Sequence, residues 1–170
     1  SIENIHSTTG IEFTKIEIDG TDYVLNLFDT AGQEQFRSLA ISYYRDVQIA
    51  IFITTCKEDT QEADDKSLIE FISNAREYGG DSFHSIFLLN KIDLINDEDL
   101  LNKRMDAVKT LLETRAGISD DVTLIPVSCQ TRAGIKDVWD VIRDIVTSMN
   151  LPPPKPGPTP IGPDPKPCNC

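Results

Sequence analysis

The sequence predicts an α/β fold with a mostly parallel sheet, on three observations. Short apolar, β-rich runs alternate with stretches of helical periodicity. A hairpin pattern precedes them. The composition, 39% hydrophobic and 26% charged over 170 residues, suits one folded domain with a sizeable core.

The hairpin comes first. Ile11, Phe13, Ile16 and Ile18 lie in a β-branched stretch, Asp19-Gly20 signals a turn, and residues 23–28 form the returning strand. Three further strands are predicted over 49–55, 85–89 and 122–127, each short and apolar, as strands buried on both faces are. Helical spacing links them. Leu68, Ile72 and Ala75 form one apolar stripe, and Leu101, Met105, Val108 and Leu112 a second. Ile135, Val138, Trp139, Ile142, Ile145 and Met149 form a third.

Composition changes near Leu151: nine of the ten prolines lie between Pro152 and Pro167. Such a run favours extended polyproline II, so residues 1–150 are read as the domain and 151–170 as a solvated tail. No apolar run reaches the length of a membrane span, and residues 1–20 lack the apolar block of a secretory leader. The chain opens on Ser1 rather than Met, which suggests processing or an incomplete gene model.

The net charge of −12 argues against nucleic acid as a partner and against a purely electrostatic grip on anionic lipid. Cys56 and Cys129 sit alone among apolar residues, while Cys168 and Cys170 crowd the end. That spacing is not a disulfide framework, and a reducing, cytosolic setting is expected.

Three loops carry chemistry. Asp29-Thr30-Ala31-Gly32-Gln33-Glu34 follows the second hairpin strand. A carboxylate at a strand's carboxyl end faces the crevice where such sheets bind ligands, and Asp29 there can hold Mg²⁺, often through water. Gly32 lets a backbone N–H approach a phosphate closely, and Gln33 can orient an attacking water. Asn90-Lys91-Ile92-Asp93 follows the next core strand but one. The Asp93 carboxylate can accept hydrogen bonds from guanine N1–H and the N2 amine, which adenine does not offer in that arrangement. Lys91 can lay its methylene stem on a base face. After the last strand comes Val127-Ser128-Cys129-Gln130, where a backbone N–H could meet a guanine carbonyl.

Taken in order, Thr8-Thr9-Gly10-Ile11-Glu12-Phe13, the Asp29 loop continued as Gln35-Phe36-Arg37-Ser38-Leu39, Tyr43-Tyr44-Arg45 and Asn90-Lys91-Ile92-Asp93-Leu94 resemble the Rab family of small GTPases, over nearly all of residues 1–150. The resemblance implies a three-layer α/β/α P-loop NTPase-like G domain that binds GTP or GDP with Mg²⁺. It implies Thr8 and Asp29 as Mg²⁺ contacts, Gly32 as the γ-phosphate sensor and Gln33 as the catalytic, water-orienting residue. Asn90, Lys91, Asp93, Ser128, Cys129 and Gln130 would then hold the base. Hydrolysis in this class rests on positioning and charge stabilisation.

The chain departs from the family pattern in three places. Ser128-Cys129-Gln130 stands where Ser-Ala-Lys is expected, and Phe28 where Trp is usual. There is also no Gly-x-x-x-x-Gly-Lys-Ser/Thr, the loop that cradles phosphates. The resemblance therefore implies that the first strand, the phosphate loop and the first helix, of the order of thirty residues, are lacking. Interior strand edges would then be left unpaired.

The ending Cys168-Asn169-Cys170 resembles the double prenylation signal of Rab proteins. Together these features imply, for the complete protein, a GTP-hydrolysing switch in vesicle traffic, on the cytoplasmic face of intracellular membranes with a cytosolic pool; residues 1–170 by themselves are expected to be inactive. Its partners would be effectors, exchange factors and GTPase-activating proteins. Two other readings stand beside it: a nucleotide-free Rab-like interaction module, and a polyproline ligand for SH3-like domains carried by the tail.

Overall fold

In the computed structural model, residues 11–21, 23–30, 43–80, 82–119, 122–149 and 151 are described. The chain forms, in order, β1 (Ile11–Glu17), β2 (Val24–Thr30), β3 (Ile49–Thr55), α1 (Gln61–Gly79), β4 (His84–Asn90), α2 (Glu98–Ala116), β5 (Leu124–Pro126) and α3 (Ile135–Ser148). Short 3₁₀ turns at Glu58–Thr60 and Ile92–Leu94 precede α1 and α2.

β4 organises the molecule. It pairs in parallel with β3 on one side and β5 on the other. Its side chains alternate between two cores, as period-2 geometry requires. Phe87 and Leu89 join Phe52, Cys56, Leu68, Ile72, Ala75, Val108 and Leu112 beneath α1 and α2. Ile86 and Leu88 join Ile125, Val127, Val138, Ile142 and Val146 beneath α3. The result is the predicted α/β/α layering. A strand buried on both faces must be apolar throughout, and residues 86–89 are all buried.

The helical stripes read from spacing are the buried ones. Leu68, Ile72 and Ala75 anchor α1, and Val108 and Leu112 anchor α2, with Leu101 and Met105 packed at the edge of the same cluster. Asp97 caps α2 by accepting from the N–H groups of Asp99 (2.9 Å) and Leu100 (3.4 Å). Gly117, at φ 62°, ends the helix in the left-handed conformation that glycine adopts without strain.

The strands fall into two sheets, in keeping with the unpaired interior edges expected where a first strand is lacking. β1 and β2 form an antiparallel hairpin of their own, and among the described residues no ladder joins it to the three-stranded sheet. The hairpin is instead held to α3. Ile18 is buried in the α3 core, Arg143 Nε donates to the Asp19 carbonyl (3.2 Å), and Tyr23 Oη donates to the Leu151 carbonyl (2.8 Å). β3 is not buried on both faces as its sequence suggests. Ile53 is 54% exposed, because it lies on the face opposite Phe52 and Thr54, where among the described residues no element covers it.

Candidate functional site

The three parallel strands end level with one another: Thr55 is opposite Asn90, and Leu89 is opposite Pro126. Carboxyl ends of parallel strands are where open α/β sheets bind ligands. Two loops leave the sheet at this edge, one after Asn90 and one after Pro126. Their backbones are tied together directly, since Val127 N–H donates to Leu89 (2.8 Å) and Ile92 N–H donates to Val127 (3.2 Å).

Side chains complete the junction. Asn90 Oδ1 accepts from its neighbour Lys91 N–H (2.7 Å) and, across the gap, from Cys129 N–H (3.2 Å). Asn90 Nδ2 lies 3.4 Å from Cys129 Sγ, a donor onto a weak acceptor. Ser128 is fully buried, and its Oγ donates to Asp93 Oδ1 at 2.5 Å while accepting from Thr131 N–H at 3.1 Å. The hydroxyl thus fixes one carboxylate oxygen. Among the described residues, no hydrogen bond to the other is found, so it is available to a donor.

The backbone here is held in unusual conformations. Lys91 has φ 65°, a left-handed value uncommon for a residue with a Cβ and often found at functional sites. Gly134, at φ 72°, starts α3 so close to β5 that a Cβ there would sit 2.2 Å from the Pro126 carbonyl oxygen. Only glycine lets the loop of residues 128–134 close. Behind the junction, Cys56 N–H donates to the Asn90 carbonyl (2.9 Å). Burial pushes the Cys56 thiol above its ordinary pKa, the Arg104 cation partly offsets this, and the Asp93 anion adds to it.

A second feature joins the hairpin to Tyr43, ahead of β3. Phe13, Phe28 and Tyr43 form a continuous row, with ring centroids 5.3 Å and 5.1 Å apart, and are 52%, 40% and 40% exposed. Lys15 Nζ sits 5.9 Å from the Phe13 ring centroid. Adjacent exposed aromatic rings are characteristic of protein-docking surfaces.

The family model described as "Elongation factor Tu GTP binding domain" matches residues 3–148. Human "Ras-related protein Rab-8B" is 29% identical over 147 residues, covering 85% of this chain and 66% of that protein. Human "Ras-related protein Rab-30" is 32% identical over 125 residues, covering 68% of this chain and 59% of its own length. The chain belongs to this family of GTP-binding domains, and Rab proteins are among its relatives. "GTP-binding protein yptV2" of Volvox carteri is 33% identical over 98 residues, covering 56% of this chain and 44% of that protein. The chain spans less than two thirds of the length of these Rab and related proteins.

The Rab-like site residues fall into three groups. Asn90, Lys91, Asp93, Ser128, Cys129 and Gln130 converge at the junction, with Lys91, Cys129 and Gln130 exposed. Asp29 lies on the hairpin, exposed and opposite Glu12. It is inside β2 rather than after it, because the ladder continues to Thr30. Thr8, Gly32, Gln33, Cys168 and Cys170 lie outside the described residues.

Cys129 also differs from its reading as a thiol among apolar residues. It is exposed, because the chain turns outward after Ser128. Its N–H, read as a donor to a guanine carbonyl, already donates to Asn90. Sequence reasoning did not single out the Ser128 hydroxyl as the Asp93 partner, nor Gly134. The only local signal for either was a serine and a glycine in the loop before α3.

Proposed function

We propose that this chain acts as a GTP-binding and GTP-hydrolysing switch of the Rab type. The observation that carries the reading is the pair of cross-loop bonds, Ser128 to Asp93 and Cys129 to Asn90. They hold a carboxylate at the carboxyl edge of a parallel sheet with one oxygen fixed and the other available. Such a carboxylate matches the adjacent N1–H and N2 donors of guanine, and a base lacking them leaves it unpaired. Asn90 joins the two loops, Lys91 supplies an aliphatic stem, and Ser128, Cys129 and Gln130 form the opposite wall.

Mg²⁺ suits the one described candidate ligand. It keeps most of its waters and is commonly bound by one or two carboxylates together with substrate phosphates, so Asp29 of the hairpin would be an adequate protein donor, with Thr8 as second contact. The ion would neutralise charge on the phosphates. Gly32 would sense the terminal phosphate and Gln33 would orient the attacking water.

The aromatic row Phe13–Phe28–Tyr43 supports effector binding on the hairpin. Exchange factors and GTPase-activating proteins would act on the same switch. Residues 151–170 would be a spacer ending in prenylated Cys168 and Cys170, placing the domain on the cytoplasmic face of intracellular membranes, with a cytosolic pool, in vesicle traffic. Two lipid chains give stable anchoring where one is marginal.

The test is competition between nucleotides. With a phosphate loop joined ahead of residue 1, the protein should take up a fluorescent GDP analogue with Mg²⁺, and unlabelled GTP or GDP, but not ATP, should displace it. Asp93→Asn should weaken guanine binding by about 2–3 kcal/mol, the scale of a lost charged hydrogen bond. Equal displacement by ATP, or no uptake, would favour the nucleotide-free interaction module.

A further inference from the structure

Arg104 is the one charged cation among the buried described residues, 8% exposed, on α2. It grips Asp65 of α1 through two parallel bonds, Nη1 to Oδ2 at 2.9 Å and Nη2 to Oδ1 at 2.6 Å. The same guanidinium donates to the Thr55 carbonyl, from Nη2 at 3.2 Å and from Nε at 3.4 Å. Thr54 Oγ1 adds a bond to Asp65 Oδ1 at 3.2 Å. Both crossover helices are thus fastened to the last two residues of β3.

A buried ion pair is weak evidence of stability, because desolvation consumes most of its Coulombic gain. Its location says more. The peptide whose carbonyl Arg104 holds is the one whose N–H, on Cys56, holds the Asn90 carbonyl at 2.9 Å. Asn90 in turn holds Lys91 and Cys129 through its side chain. An unbroken series of hydrogen bonds therefore runs from the Asp65–Arg104 fork to the loop that carries Asp93.

We propose that Arg104, oriented by Asp65, is a positioning residue for base recognition: it fixes the Thr55–Cys56 peptide, and through it the Asn90 backbone from which both base loops are set. This rests on the guanine reading of the Asn90 and Ser128 loops. Arg suits the role better than Lys, because its planar fork satisfies Asp65 and the Thr55 carbonyl at once.

The experiment separates positioning from stability. GDP and IDP differ only in the N2 amine, so their affinity ratio reads how well Asp93 is placed. A variant that merely loosens the fold lowers both affinities together. In Arg104→Met the GDP/IDP ratio should fall by about tenfold, the scale of one poorly aligned charged hydrogen bond. Arg104→Lys should lie between. The double variant Arg104→Met/Asp65→Leu, which replaces the pair with apolar side chains, should melt near the wild-type temperature yet keep the lowered ratio. Hydrogen exchange at the Lys91 and Cys129 amides should be faster in both Met variants.

A wild-type ratio retained in Arg104→Met and in the double variant, with unchanged exchange at those amides, would overturn the positioning role. If wild-type protein itself failed to prefer GDP over IDP, the guanine reading would fall first.

Discussion

The Ser128 hydroxyl donates to the Asp93 carboxylate at 2.5 Å across two loops that are 35 residues apart in sequence. Ser128 is fully buried, so the bond is shielded from water and costs more to break than a surface contact. Its consequence is orientation: a carboxylate held at one oxygen presents the other in a fixed direction. Ser128→Ala should therefore reduce guanine-nucleotide affinity by about tenfold, a little over 1 kcal/mol, and leave the fold intact. Equilibrium titration checks this. An affinity equal to wild type would mean that Asp93 is positioned by its own loop alone.

Gly134 makes the sharpest structural prediction. Its φ is 72°, and a Cβ added there would come within 2.2 Å of the Pro126 carbonyl oxygen, which is backbone and cannot swing aside, and 3.2 Å from the Val127 side chain. Gly134→Ala should destabilise the domain by about 2 kcal/mol or more, through left-handed strain and displacement of the start of α3. Denaturant unfolding measures it. Because the same loop carries Ser128, nucleotide affinity should fall with stability.

The layers were legible because buried strands and helix stripes must be apolar at fixed periods. Residues 86–89 and Leu68, Ile72 and Ala75 could hardly be read otherwise. The two junction loops were legible as Asn-Lys-x-Asp and Ser-Cys-Gln following strands. What pattern could not reveal was long-range. Arg104 sits within a polar-looking helix, and only its neighbours in space, Asp65 and Thr55, give it a role. The separation of the hairpin from the parallel sheet follows from the unpaired edges expected where a first strand is lacking, but the hairpin's attachment to α3 through Ile18 and Arg143 could not be read from pattern.

The two described thiols should differ in reactivity. Cys129 is exposed at the junction, whereas Cys56 is buried and its pKa is raised by that burial, which keeps it protonated at neutral pH. A maleimide should label Cys129 quickly and Cys56 only on unfolding. Bulk at Cys129 should also block nucleotide uptake, since its N–H and Sγ both meet Asn90. Mass spectrometry of the labelled peptides checks the order, and prior nucleotide binding should protect Cys129.

Hydrolysis should depend on Gln33 without binding doing so. Gln33→Leu removes a neutral amide that would orient water and touches no phosphate charge. Single-turnover hydrolysis should slow while nucleotide affinity stays near wild type. An unchanged rate, with and without an activating protein, would remove Gln33 from the reaction.

Lasting membrane attachment should require both Cys168 and Cys170. Each prenyl chain contributes roughly 0.8 kcal/mol per buried CH₂, so one chain gives reversible contact and two give lasting attachment. Charge cannot substitute: residues 151–170 carry only Lys155 and Lys166 as cations, set against Asp164 and the terminal carboxylate, on a chain of net charge −12. Replacing Cys168 and Cys170 together with serine should shift the protein wholly to the soluble fraction, and each single replacement should leave a partly bound, salt-insensitive pool. Salt insensitivity is the telling measurement, because attachment through lysines would weaken steeply as ionic strength rises, whereas burial of hydrocarbon does not. A double variant still on membranes after a salt wash would place the anchor elsewhere in the protein.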